Sequence, residues 1–321
     1  METILANRLS KKYSDLLAVN SVSFSIDSEI YGLLGPNGSG KTTTVNMLTA
    51  MMTPTSGNAE VCGYDIRRQQ KQIRECMSYV PQYIAADLKL TGRENVNLYA
   101  ELYGIKNRSD RKKRVDEALE IMGLTDRADD RTKTYSGGMC RRLELAQALV
   151  HDPMVLFLDE PTVGLDVSAR HSVWAHITKL KHRGITVFVT THQLDEAERY
   201  CDRVGIIRMG NILREGKPAD LTSSVNYIIS ISAMGSAPQT LVNKVDIIKD
   251  ENGESIFVSD NPQSDLETIL REYKNAGIRV FSSSMRKPTL EDIYLISIND
   301  GTEDIGMFDR NQYRSVMRRR S

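Results

Sequence analysis

Cysteine is scarce and scattered in this 321-residue chain: Cys62, Cys76, Cys140 and Cys201 stand far apart, with no Cys-x-x-Cys pair. A thiolate metal site or a disulfide framework is therefore not expected. The pattern fits a reducing cytoplasm, with the thiols serving as small buried or half-buried side chains. Long apolar runs are absent too. The strongest, Met154–Leu158 and Ile185–Thr190, have the length of buried strands and fall far short of the roughly 20 residues that cross a bilayer. The N-terminus lacks the basic segment followed by an apolar stretch that marks a signal peptide. Neither sign of charge is in excess. Lys+Arg and Asp+Glu both total 42, so the broad positive field of a nucleic-acid binder is missing and no nucleic-acid partner is expected.

What is present suits a globular chain with a core: 40% of residues are hydrophobic and 26% charged, and the length accommodates one large domain or two unequal ones. Val22, Phe24 and Ile26 alternate with Ser21, Ser23 and Ser25, the mark of a half-buried strand. Ile30–Leu34 is a short apolar run ending at Gly35, and helical character follows over Lys41–Met51. From Tyr83 to Thr134 apolar residues (Val96, Leu98, Leu102, Val115, Leu119, Ile121) sit among many charges, as in helices exposed on one side. Arg111–Arg114 within that stretch reads as a solvated helix face. Helix and strand then alternate: a helix over Leu143–Val150, a strand over Val155–Asp159, a helix over Val173–Lys181 and a strand over Ile185–Thr190. That order predicts a largely parallel sheet covered on both faces. Val204–Met209 and Ile212–Arg214 form a hairpin pattern with Gly210-Asn211 as its turn.

After the break around Lys217–Val225 a smaller unit begins. Tyr227–Ile231 and Ile256–Val258 are strand-like. Ser264–Glu267 has a capping-box pattern and opens a helix that Gly277 stops. Arg279–Ser282 reads as a strand and Thr289–Ile296 as a short helix. The last dozen residues hold Arg310, Arg314, Arg318, Arg319 and Arg320 and no acid, which predicts a disordered basic tail.

The chemistry concentrates in Gly35-Pro36-Asn37-Gly38-Ser39-Gly40-Lys41-Thr42, which has the spacing of a phosphate-binding loop between a strand and a helix. Its glycines let the backbone wrap an anion, and its N–H groups with the helix N-terminus face that anion. Lys41 would reach the terminal phosphates and Thr42 would hold magnesium. Met154–Glu160 supplies the partner: a buried strand delivering Asp159 to the magnesium and Glu160 to the attacking water. Ser136-Gly137-Gly138, ahead of a helix, offers a second anion site.

Taken in order, these motifs resemble the nucleotide-binding subunit of ATP-binding-cassette transporters, over about Met1–Ala219. The glutamine loop is similar to Tyr79–Gln82 and the signature to Tyr135–Met139. The acidic strand resembles Leu156–Thr162, the following loop Gly164–Asp166, and the switch histidine matches His192. The signature carries Tyr135 and Met139 where Leu and Gln are commonest. With Glu94–Gly104 and Pro288–Leu295, it is similar to the daunorubicin-resistance group of antibiotic exporters. The resemblance implies an α/β fold: a P-loop NTPase core with a mostly parallel sheet, an N-terminal antiparallel β subdomain, an inserted helical subdomain and a small C-terminal α+β domain. The implied boundaries are 1–222 for the nucleotide-binding domain (helical insert about 83–134), 223–300 for the accessory domain and 301–321 for the tail.

The resemblance also implies ATP and Mg2+ as cofactors. Tyr13 would stack on adenine, and Gly35–Thr43 (through Lys41, Thr42 and Thr43) would cradle the phosphates. Thr42, Gln82 and Asp159 would surround the metal, and Glu160, His192 and Gln82 would act on the γ-phosphate and its water. Ser136, Gly137, Gly138 and Asp166 would meet the nucleotide of a second copy in a head-to-tail dimer. Transmembrane permease subunits would be the other partners, met through the Gln82–Thr134 region at the cytoplasmic face of the membrane. Powering the export of a drug-like, antibiotic or lipid-like substrate is the expectation. An import cassette, a cluster-assembly ATPase or a translation or repair ATPase are the alternatives, the last two disfavoured by the C-terminal extension, the single cassette and the absence of sustained heptads.

Overall fold

The computed structural model describes residues 2–241 and 244–304, with side chains as far as residue 299. The basic tail expected over 301–321 lies outside the described residues beyond 304. By its internal contacts the chain divides into two units, Met1–Lys217 and Pro218–Ser321.

The first unit opens with β1 (Ile4–Tyr13) and β2 (Leu16–Ile26), an antiparallel pair, followed by β3 (Ile30–Leu34) and α1 (Lys41–Leu48). Next come β4 (Ser56–Val61), β5 (Tyr64–Asp65), α2 (Gln70–Cys76) and β6 (Met77–Val80). The helical insert holds α3 (Gly92–Leu102) and α4 (Arg108–Ile121), and α5 (Gly137–Leu149) leads back to β7 (Val155–Asp159). The unit ends with α6 (Val167–His182), β8 (Thr186–Thr191), α7 (Leu194–Tyr200), β9 (Arg203–Arg208) and β10 (Asn211–Gly216).

Two sheets result. One is antiparallel, in the order β2-β1-β4-β5, and the other runs β10-β9-β3-β8-β7-β6. In the second sheet every neighbouring pair is parallel except β10 with β9. Strands β3, β7 and β8 are buried at every position, which is why they read as continuous apolar runs rather than alternating ones. Phe24 of β2 stacks on Tyr31 of β3, with Phe188 packed against both and against Phe157, so a cluster of rings fastens the two sheets together.

The insert starts with a reciprocal cap. Thr91 accepts from the Glu94 amide at 3.1 Å while Glu94 accepts from the Thr91 amide at 2.8 Å. The basic cluster of α4 is drawn into ion pairs: Arg111 with Glu101 at 3.0 Å, and Arg114 with Asp152 at 2.8 Å. The β9–β10 hairpin pairs Arg208 with Asn211, so Met209-Gly210 forms the turn and Asn211 opens the strand. Both turn residues have positive φ (48° and 81°), as a two-residue turn of the strand-twisting type requires, and this corrects the Gly210-Asn211 expectation.

The second unit contains α8 (Pro218–Ser223), β11 (Tyr227–Ala233), β12 (Asp246–Glu251), β13 (Glu254–Ser259), α9 (Pro262–Asn275), β14 (Val280–Arg286) and α10 (Leu290–Asp304). Its antiparallel sheet, in the order β12-β13-β11-β14, packs Ile229, Ile231 and Phe257 against Ile269 and Tyr273 of α9. The α9 helix begins at Pro262, so Ser264 lies inside its first turn and the capping box expected at Ser264–Glu267 is not formed. Proline at the start of the helix fixes φ without losing a hydrogen bond, and that moves the N-cap three residues earlier, from Ser264 to Asn261. The Pro288–Leu295 motif has a structural use. Asp292, 1% exposed, accepts from the Thr289 amide at 2.8 Å and takes Arg286 in a two-pronged grip at 2.5 and 2.8 Å.

Candidate active site: the phosphate loop and the acidic strand end

Parallel strands in one sheet end on one side, and the carboxyl ends of β3, β6, β7 and β8 carry the groups that matter. The loop after β3 turns through Pro36, Asn37, Gly38 and Ser39 into α1. Gly40, with φ of 109°, sits at the helix cap in the left-handed region, and a Cβ there would lie 2.6 Å from the Ala18 carbonyl oxygen. Gly35 is equally confined: a Cβ would approach the Ile207 carbonyl oxygen to 2.2 Å. Ser39 Oγ is buried, and no protein group among the described residues hydrogen-bonds to it. Such an orphaned hydroxyl in an amide-rich turn fits an anion-binding loop.

Lys41 is the first residue of α1 and is buried. Its Nζ donates to the carbonyls of Gly35 (2.7 Å) and Pro36 (3.2 Å) and lies 3.1 Å from Glu160 Oε1. Thr42, exposed on the next position, donates from Oγ1 to Asp159 Oδ2 at 3.0 Å. Thr43 is half-buried in the same turn. On β7 the register sets Asp159 beside Thr190 of β8, and the Thr190 hydroxyl donates to Asp159 Oδ1. Tyr79 at the end of β6 brings its hydroxyl 3.5 Å from Asp159 Oδ2, and burial followed by that carboxylate's charge pushes the phenol up to about 12.

Glu160 follows Asp159 with φ of 49°, a left-handed backbone that costs about 1 kcal/mol or more for a residue with a side chain. Two bonds hold it there, from its amide to the Thr190 carbonyl (3.0 Å) and to the Thr190 hydroxyl (3.1 Å). This kink turns the carboxylate off the strand line. One oxygen meets Lys41 and the other lies 2.5 Å from His192 Nδ1. The structure thus gathers Lys41, Thr42, Asp159, Glu160 and His192, which sequence reasoning had singled out separately.

The donors beside Thr42 and Asp159 are hard oxygens, the type magnesium takes, and among the described residues there is no cluster of three acidic, histidine or cysteine side chains able to cage a metal alone. A hydroxyl and one carboxylate suit an ion that completes its shell with water and phosphate.

The remaining candidates fall elsewhere. Ser136 caps α5 by accepting from the Met139 amide at 3.3 Å, so Gly137 and Gly138 form its first turn, several residues ahead of the expected helix start. Asp166 caps α6 by accepting from the Ala169 amide at 2.8 Å. The two helix starts touch: a Cβ on Gly138 would come within 2.8 Å of Ala169 Cβ. Gln82 follows β6, and its carbonyl accepts from Arg141 at 2.7 Å. Tyr13 ends β1, its hydroxyl 2.9 Å from Met52 Sδ and its ring centroid 5.4 Å from Lys11 Nζ.

Sequence reasoning missed Thr190, Tyr79, Arg141 and Glu144. A Thr-Thr pair ending a fully buried strand, and charges spaced three apart in an otherwise apolar helix, were the available signals.

A phosphate loop, an acidic strand end and a histidine just past the end of the neighbouring strand, on a sheet of this order, define a P-loop ATPase of the cassette type. The family model for the ABC transporter matches residues 19–163. The linearmycin resistance ATP-binding protein LnrL of Bacillus subtilis (strain 168) is 36% identical over 300 residues, covering 90% of this chain and 96% of its own length. The Nod factor export ATP-binding protein I of Rhizobium sp. (strain N33) is 38% identical over 295 residues, covering 89% and 94%. The daunorubicin resistance ATP-binding protein DrrA3 of Streptomyces coeruleorubidus is 34% identical over 300 residues, covering 91% and 94%. Among solved structures, cbiO1 from Clostridium perfringens, part of the ABC transporter complex cbiONQ, superposes with a TM-score of 0.65 at 28% identity, over 69% of this chain and 91% of that one. The chain belongs to the ABC transporter family, as an ATP-binding subunit that hydrolyses ATP and works as a dimer with membrane permease components.

Proposed function

We propose that this chain powers the export of a drug-like, antibiotic or lipid-like molecule through separate membrane-spanning subunits, by hydrolysing MgATP at the Lys41–Glu160 site. The observation that carries the chemistry is the pairing of both Glu160 oxygens, one with Lys41 and one with His192. Export is supported by the resistance and export names of the full-length relatives.

The triphosphate lies along the loop amides of Gly35–Thr43, with Tyr13 against the adenine. Magnesium, when bound through Thr42 and Asp159 with Gln82 nearby, neutralises charge on the phosphates and so eases their separation. Lys41 exchanges its carbonyl partners for β- and γ-phosphate oxygens, and leaving Glu160 frees that carboxylate to accept a hydrogen bond from the attacking water. His192 holds the γ-phosphate and the carboxylate in one geometry. A second copy lies head-to-tail, presenting its own Ser136, Gly137 and Gly138 to the same nucleotide, with Asp166 at the interface.

None of the helices formed by the described residues is long and apolar enough to cross a membrane. In this reading the subunit sits at the cytoplasmic face and meets its permease through exposed Tyr83, Ile84, Leu88 and Leu102.

The test is purification of the full chain from solubilised membranes. Two copies recovered with multi-span subunits whose ATP hydrolysis rises with a cytotoxic amphiphile support export. Recovery in a complex that responds only to an external solute-binding protein overturns it.

A further inference from the structure

The first turn of α5 holds the signature residues, and its next two turns carry a buried polar ladder with no part in the chemistry above. Arg141, Glu144 and Gln147 are 3%, 3% and 2% exposed and recur every third residue, so they share one face. That face lies against the loop that leaves β6. Arg141 donates to the Pro81 carbonyl (2.8 Å) and to the Gln82 carbonyl (2.7 Å), and pairs with Glu144 at 2.9 Å. Glu144 accepts from the Ala85 amide at 2.5 Å. Gln147 donates at 3.2 Å to Asn95 Oδ1, which also accepts from the Asp87 amide at 2.9 Å.

The stretch Pro81–Asp87 forms no helix or strand, so its amides and carbonyls lack ladder partners; α5 meets those of Pro81, Gln82 and Ala85 directly, and that of Asp87 through Asn95. Packing alone would not call for charges here. Burial costs an ion pair heavily unless every donor and acceptor is met.

We propose that Arg141, Glu144 and Gln147 are positioning residues that lock the Gln82 loop to the signature helix, so that a nucleotide gripped by Ser136–Gly138 moves the loop as one body with α5. The apex of that loop, Tyr83 and Ile84, is 82% and 51% exposed. The lock therefore joins the nucleotide of one copy to the apolar surface offered to the permease. This rests on the two-copy reading above.

The experiment is amide exchange over residues 81–87 in the full chain carrying Glu160→Gln, with and without MgATP, alongside its dimerisation. MgATP is expected to form the dimer and change exchange in the loop. Adding Arg141→Met with Glu144→Leu, which removes the charges as a pair, is expected to leave dimer formation intact. Exchange at Ala85 should rise about tenfold, the scale of one buried charge-assisted bond, and should no longer answer to MgATP. An unchanged response in that protein overturns the proposal. Should the double substitution fail to fold, Gln147→Met reads the same ladder: faster exchange at Asp87 with a reduced ATP response supports it, and unchanged exchange overturns it. Failure of the Glu160→Gln parent to dimerise overturns the two-copy reading and the coupling with it. That outcome is read from the parent alone, so the two failures are distinguishable.

Discussion

Lys41 Nζ lies 3.1 Å from Glu160 Oε1, with both side chains buried, so the cation of the glycine-rich loop and the carboxylate at the end of β7 neutralise each other. Removing the cation should therefore act twice. Lys41→Ala is expected to weaken MgATP binding by about a hundredfold, as expected for lost charged bonds to phosphate. It should also destabilise the fold by about 3 kcal/mol, because Glu160 is left buried without the Lys41 charge. Nucleotide titration and thermal unfolding measure the two effects; unaltered affinity would remove Lys41 from the site.

Thr190→Val removes one hydroxyl that serves two residues, donating to Asp159 and accepting from the Glu160 amide. The shapes match closely, so folding should persist at a cost of about 1–2 kcal/mol. Hydrolysis should fall about tenfold or more, because Glu160 loses part of what holds its left-handed backbone, and the magnesium requirement should rise. A magnesium titration of the ATPase rate checks both.

Gly138→Ala places a methyl 2.8 Å from Ala169 Cβ, where two helix starts meet. The expected cost is about 1–3 kcal/mol of overpacking, felt at the helix start proposed to meet the second copy's nucleotide. Nucleotide binding by one copy should survive while ATP-driven dimerisation weakens, as read by sedimentation with and without MgATP.

The acidic sequences and the phosphate loop were legible because their chemistry is local: spacing alone assembles an anion-binding turn. The buried strands β3, β7 and β8 were legible as unbroken apolar runs. Strand β1 was not, since its register slips between Ala6 and Leu9 and again near Lys11, with Arg8 at φ of 46°, and such bulges erase alternation. Helix α6 runs from Val167, ahead of its expected start at Val173, because its first turns are largely exposed and carry no apolar stripe. Thr190 escaped notice because its role comes from strand register, and Arg141 and Glu144 because their partners lie some 60 positions away. Each is a long-range relationship that no window of sequence contains.

In the second unit, burial would push the Asp292 carboxyl up, but hydrogen bonds from Arg286 and Thr289 outweigh it and hold it below its ordinary value of 3.8. A depressed folded value means the stabilisation is present above that ordinary value and is lost as the pH falls through the folded one. Asp292→Asn should therefore destabilise this unit by about 1–3 kcal/mol at neutral pH, and by progressively less in acid. Urea unfolding followed across pH would show the two proteins converging; a difference that stays constant with pH would contradict the assignment.

The central claim is that Glu160, held between Lys41 and His192, prepares water to attack bound ATP. The direct measurement is single-turnover hydrolysis by the full chain carrying Glu160→Gln, with MgATP binding and dimerisation followed on the same sample. The account expects hydrolysis slower by about a hundredfold or more, the usual reach of one positioned base, with ATP retained and the dimer trapped. Hydrolysis at the unsubstituted rate would contradict it.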